Sequence, residues 1–223
     1  LKVGLIGCGG RGRGAIADIM SAGKSLNVDI RITALADAMP DRVAAARDGV
    51  KARGQDVPEA QCFTGFDAYK KLIGTDVEIV MMCTSPNFRP AHIEAAVKAG
   101  KHVFVEKPLA VDAPGCRRVL AAGEEAAKKN LAILAGTCLR HDKAYGAMHQ
   151  MVAEGAAGRI LGGTTYYCTG ALWRRPRAEG MNDAEYLVRN WVNFAGMSGD
   201  HIVEQDVHTI DMQNWCVGGT PVA

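Results

Sequence analysis

Lys2-Val3-Gly4-Leu5-Ile6-Gly7-Cys8-Gly9-Gly10-Arg11-Gly12 is the stretch that decides the fold. Its first five residues read as an apolar strand, and Gly7, Gly9 and Gly12 follow in the spacing GxGxxG. Between a strand and a helix, such a loop makes a phosphate cradle. The first glycine allows the tight turn, the second lets the backbone reach a pyrophosphate, and the third lets helix and strand close up. The unpaired N–H groups and positive dipole end of the helix then face the anion. An ordinary glycine turn can show the same spacing, so the flanks decide. Ala15 to Met20 reads as the following helix, and Asp29 to Ala36 as a second strand ending at Asp37. An acid at that tip accepts hydrogen bonds from an adenosine ribose and repels the 2′-phosphate of NADP; it can also cap the next helix. NAD is therefore the expected cofactor, on Gly7, Gly9, Gly10, Arg11, Gly12 and Asp37, while Arg11, Arg13 and Arg42 keep NADP open.

Beyond Asp37 the alternation continues. Helices are expected over Pro40 to Ala52, Asp67 to Leu72, His92 to Ala99 and Asp112 to Lys129. Strands are expected over Gln61 to Thr64, Val77 to Cys83, His102 to Glu106 and Leu131 to Gly136. The near-continuous apolar run at 77–83 marks a strand covered on both faces. This order implies an α/β fold: a Rossmann doubly wound parallel sheet with right-handed crossovers, taken to occupy residues 1–140. Ligands of such sheets bind at the carboxyl ends of the strands, where Gly7, Asp37, Thr84 and Lys107 lie. From about Tyr145 the rhythm changes: a helix to Glu154, a β-prone stretch from Ile160 to Cys168, then a polar and aromatic segment from Thr169 to Gly199. Residues 141–223 read as the beginning of a second domain.

Bulk properties exclude several classes. A 48% hydrophobic and 22% charged composition is ordinary for a globular protein. A net charge of +2 gives no reason to expect nucleic acid or an anionic membrane as partner. The apolar runs are strand-length, so no transmembrane helix is expected. Cysteines 8, 62, 83, 116, 138, 168 and 216 are odd in number and never in a CxxC pair, which argues for free thiols. The chain starts with Leu1 at the first strand, which reads as a piece of a longer protein.

Three features could carry chemistry. Glu106-Lys107-Pro108 sits at a strand end, where a lysine can bind a substrate hydroxyl or share its proton; a solvated lysine is the plainer reading. The Lys-Pro bond can also be cis. Second, if 199–212 is one helix, His201, Glu204, His208 and Asp211 share a face. Such a stripe suits an acid/base site, and a solvated face or a metal site are the competing readings. No HExxH spacing or third-ligand pattern is present, so no metal is expected. Third, Trp173, Arg174, Arg175, Arg177, Tyr186, Arg189, Asn190 and Trp191 suit stacking on a sugar ring or bonding an acid group; an exposed basic loop is the plain alternative.

With the glycine loop, Thr84-Ser85-Pro86…His92, Glu106-Lys107-Pro108 and Glu204…His208…Asp211 in order, the chain resembles the glucose–fructose oxidoreductase/inositol dehydrogenase/MocA family. The resemblance covers essentially the whole chain, and the Glu-Lys-Pro triplet is its most specific mark. It implies a Rossmann domain followed by an α/β domain with an open, mostly antiparallel sheet that commonly forms a homo-oligomer interface. It implies a dehydrogenase acting on a secondary alcohol of a sugar, inositol or related polyol. Thr84, Ser85, Glu106 and Lys107 would lie at the cofactor, and Lys107 and His208 would flank the substrate. An aspartate commonly stands four residues before that histidine; here it is Glu204, a third catalytic candidate. The Arg189-Asn190-Trp191 and Gly199-Asp200-His201 patterns resemble members exported behind twin-arginine signals. The expected compartment is thus the cytoplasm, or the periplasm if such a signal precedes Leu1. A redox-neutral NAD-dependent glycosidase or lyase, and a non-catalytic dinucleotide-binding regulator, are the alternatives.

Overall fold

Six short parallel strands form one sheet in the computed structural model, which describes residues 1–219. They are β1 (Lys2–Ile6), β2 (Arg31–Asp37), β3 (Cys62–Thr64), β4 (Ile79–Met82), β5 (His102–Val105) and β6 (Ile133–Ala135), in the order β3-β2-β1-β4-β5-β6. The direction of winding reverses between β1 and β4, which pair in register from Val3 with Ile79 to Ile6 with Met82. This is the doubly wound arrangement, and its ligand crevice opens where the order reverses. Helices α1 (Gly10–Leu26), α2 (Pro40–Lys51), α3 (Ala68–Ile73), α4 (Arg89–Lys98) and α5 (Ala113–Lys128) supply the crossovers.

Both faces of the sheet are buried because each strand alternates its apolar side chains between two cores. Val3 and Leu5 of β1 pack with Ile16, Leu35 and Val50 on one face. Ile6 packs with Leu72, Val80, Met82 and Ile93 on the other. Each fully buried aliphatic side chain contributes about 1.5–3 kcal/mol, so register is strongly specified: a one-residue slip would exchange the faces. Helix α4 begins three residues before the expected His92, because Pro90 suits a first helical turn and draws the start back to Arg89.

This first unit spans Leu1–Ala135, and a second begins at Gly136. The second unit is helical: α6 (Lys143–Ala153), α7 (Asp183–Arg189), α8 (Ala195–Ser198), α9 (Asp200–Glu204) and α10 (Val207–Val217). Two elements depart from expectation. Ile160 to Cys168, rich in β-formers, makes no strand. A strand exists only through its ladder, and among the described residues of this unit none pairs with it. The open antiparallel sheet is accordingly not formed by the described residues. The expected helix over 199–212 is broken into α9 and α10, since the Gln205 and Asp206 amides both turn back to the His201 carbonyl.

Candidate functional site

The glycine loop owes its shape to contacts that tolerate no side chain. Gly7 has φ +95°, and a Cβ there would stand 2.5 Å from the Cys83 carbonyl carbon and the Thr84 nitrogen. A Cβ on Gly12 would meet the Gly7 carbonyl oxygen at 1.9 Å, so β1 and α1 approach as closely as backbones allow. Gly9 and Gly10 differ, for a Cβ on either would project into open space. No side chain caps the α1 N-terminus at Gly9, and no acid stands in its first turn. Backbone N–H groups at an uncapped helix start, with open space before them, form a cradle that fits a pyrophosphate.

Asp37 ends β2 and is buried, 6% exposed. One carboxylate oxygen accepts from the Cys8 amide at 2.7 Å and the other from the Met39 amide at 2.9 Å. The first bond ties the β2 tip to the glycine loop; the second shapes the entry to α2. Each oxygen keeps a further lone pair for a hydroxyl donor. Both functions weighed for this residue, ribose acceptor and helix entry, are thus compatible. Beside it, burial and the Asp37 charge push the Cys8 thiol well above its ordinary range, which keeps it a neutral packing group.

At the ends of β4 and β5 the expected residues converge. Ser85 and Glu106 are buried, and Thr84 and Lys107 half-buried. The Arg11 guanidinium pairs with the Glu106 carboxylate at 2.6 Å and with Asp18 at 3.1 Å, so the start of α1 is joined to the end of β5. The Lys107–Pro108 peptide is cis. Burial, reinforced by the Glu106 charge, raises the Cys83 thiol to about 12. His92 lies against Tyr69 with ring centroids 4.2 Å apart and its Nδ1 is 3.4 Å from the Thr84 hydroxyl. Burial, with Arg89 adding to it, lowers its imidazole to about 4 and keeps it neutral.

The sequence reading missed Arg89. Its side chain is buried, 3% exposed, and donates to the carbonyls of Thr84, Glu106 and Pro108. A signal was available: a cation in the first turn of a helix opposes the macrodipole by about 0.3–1 kcal/mol, so something must answer it.

In the second unit the helix expected to carry His201, Glu204, His208 and Asp211 on one face is interrupted between α9 and α10. Asp211 is engaged by Arg140 through two hydrogen bonds, 2.7 and 2.9 Å, and Arg140 also lies over the Trp215 ring. Glu204 is buried and accepts from the Gln205 side chain. His208 and His201 each have Tyr167 as a ring neighbour, centroids 6.3 Å apart. The basic aromatic segment is more ordered than a loose loop. Asn190, 1% exposed, accepts from the Arg175 amide at 2.7 Å and donates to the Arg175 and Tyr186 carbonyls. Arg175 lies over Trp173 and Arg177 over Tyr186. Among the described residues, no group of three His, Cys, Asp or Glu could hold a metal ion, and no helix is long and apolar enough to cross a membrane.

The fold agrees with that of known proteins. A family model described as an oxidoreductase family with an NAD-binding Rossmann fold matches residues 1–134. The inositol 2-dehydrogenase of Paracoccus denitrificans is 34% identical over 155 residues, covering 69% of this chain and 42% of the relative. That of Salmonella typhimurium is 30% identical over 162 residues, covering 72% and 44%. The chain thus matches less than half the length of these curated relatives. Among solved structures, an oxidoreductase domain protein from Kribbella flavida shares the fold with TM-score 0.76 at 22% identity, covering 98% of this chain and 54% of that one. The scyllo-inositol dehydrogenase of Lactobacillus casei, solved with NAD(H) and scyllo-inositol bound, shares it with TM-score 0.63 at 20% identity over 98% of this chain and 56% of that one.

Proposed function

The chain belongs to the glucose–fructose oxidoreductase/inositol dehydrogenase/MocA family, with its NAD-binding Rossmann fold, and on that premise we propose an NAD-dependent dehydrogenase acting on a secondary alcohol of a sugar, inositol or related polyol. The observation that carries the reading is the glycine loop, open at Gly9 and Gly10 and tied through the Cys8 amide to Asp37. The backbone at Gly9, Gly10 and Arg11 would receive the pyrophosphate, and Asp37 the adenosine ribose hydroxyls. The buried Asp37 charge favours NAD over NADP. Thr84, Ser85 and Glu106 would line the nicotinamide end. When bound, NAD supplies the hydride acceptor.

The remaining roles belong to this chain's own side chains. Lys107 holds the reacting hydroxyl, His208 takes or returns its proton, and Glu204 orients the imidazole or bonds the substrate. These roles rest on the resemblance around Glu106-Lys107-Pro108 and Glu204…His208, supported for Lys107 by its place at the end of β5. The antiparallel sheet and a homo-oligomer formed through it belong to the same reading.

The test follows the reduced-nicotinamide absorbance with NAD and NADP in turn, against a panel of inositols, sugars, uronic acids and amino sugars. A rise with NAD and one polyol class is expected. Lys107→Ala and His208→Ala should each lose ~10²-fold or more in turnover, as for a positioned acid/base group, with NAD affinity kept. Full turnover in either variant removes that residue from the assignment. Retained cofactor with no net reduction on any substrate would replace the dehydrogenase by a redox-neutral enzyme.

A further inference from the structure

The strand end that carries Lys107 is held by a residue with no role in the reading above. Arg89 enters from the first turn of α4, and its guanidinium spans two strand ends. Nε and one terminal nitrogen donate to the Thr84 carbonyl at 2.9 and 2.6 Å. The other terminal nitrogen donates to the Glu106 carbonyl at 2.8 Å and to the Pro108 carbonyl. Those last two acceptors are the residues on either side of Lys107. The Glu106 side chain is held independently by Arg11. Buried carbonyls just past a strand end lie beyond the ladder, and leaving each without a donor costs about 1–3 kcal/mol. A planar fork reaches two strand ends at once, which a single ammonium does not.

We propose that Arg89 is a positioning residue: by gripping the carbonyls on both sides of Lys107, it sets the direction in which the lysine leaves β5. The proposal rests on the role given to Lys107 above. It also accounts for a cation buried at the wrong end of a helix dipole.

The test labels lysine Cε with 13C and compares wild type with Arg89→Met and Arg89→Lys, the Lys107 signal being assigned by its loss in Lys107→Ala. In Arg89→Met the Lys107 signal should move towards the exposed lysines while the other lysine signals stay. Arg89→Lys, which keeps the charge and loses the fork, should show the same shift in smaller measure, and it carries the test if the Met variant does not fold. With the polyol identified above, kcat should fall by up to ~10²-fold, the scale of a misplaced catalytic group. In a Lys107→Ala background the further loss should be under ~3-fold, because coupled residues are not additive. An unmoved Lys107 signal in a folded Arg89 variant overturns the inference, and so does a loss that multiplies in the double variant. Full turnover by Lys107→Ala overturns the role of Lys107 and the inference with it, an outcome told apart by that single variant.

Discussion

The two units place their candidate residues by different means. In the first, the strand ends themselves are placed by backbone, and side-chain grips such as that of Arg89 act on ends already fixed. Strand pairing and two buried cores fix the ends of β1, β2, β4 and β5, and Gly7 and Gly12 admit nothing bulkier. In the second unit, short helices bury a few apolar side chains such as Val188, Val192, Met197 and Met212, and polar side chains grip the backbone between them. Asn190 clamps Arg175, Asn193 holds the Trp173 carbonyl, and Asp142 caps α6. A site built from backbone geometry leaves a pattern of glycines and strand tips in the sequence. One built from side-chain grips does not, because an asparagine that clamps is spelled like one that faces water.

The strongest way to break this contrast is Gly12→Val. With a Cβ only 1.9 Å from the Gly7 oxygen, the variant should lose more than ~3 kcal/mol and all measurable NAD affinity. Chemical denaturation and cofactor titration would read both, and a stable variant that still binds NAD would defeat the idea that backbone contact sets the loop. A similar effect is expected from acid. Since the His92 imidazole is lowered from 6.5 to about 4, the folded chain refuses a proton that the unfolded chain accepts. Stability is therefore full above pH 6.5 and declines as pH falls towards 4, by up to ~3 kcal/mol. Denaturant midpoints at neutral and acid pH should show that loss in wild type and much less of it in His92→Gln; equal losses in both would clear His92 of the effect.

Smaller changes sharpen the second half of the comparison. Asn190→Ala removes a buried side chain and its three bonds to the Arg175 and Tyr186 backbone, and should cost ~2 kcal/mol, quickening amide exchange over Trp173 to Asn193 about 30-fold. If β1 to β6 quickened equally, the units would not be held by separate means. Smallest should be Asp142→Ala, which removes the side-chain acceptor of the Ala144 and Tyr145 amides. About 1 kcal/mol, or ~5-fold in exchange, is expected at the start of α6 alone.

These differences explain what could be read from the sequence. All six strands of the sheet and the helices between them follow from apolar runs and glycine punctuation, because burial on both faces leaves a coarse signal. The glycine loop is legible because close backbone approach at Gly7 and Gly12 demands glycine, and Asp37 because it ends an apolar strand. The break at Gln205 and Asp206 was not, since neither residue is a helix breaker and the cause is a local turn back to the His201 carbonyl. The residues from Ile160 to Cys168 show the converse: β propensity describes fitness for a pleated neighbour and cannot supply one. Helices α7 and α8 went unread inside a segment whose charges and aromatics pair across short distances without a regular period. The place of Arg89 in the first turn of α4 signals that something must answer its charge, but not what, because its three acceptors are carbonyls, which every residue possesses.

On the ribose role proposed for Asp37, its bond from the Cys8 amide makes one side chain answer for two traits. Any mutation that would admit a 2′-phosphate by removing that carboxylate also unties the turn on which both cofactors must rest. A lineage of this chain moving from one cofactor to the other could not take that step alone. It would need first, or at once, a replacement acceptor for the Cys8 amide.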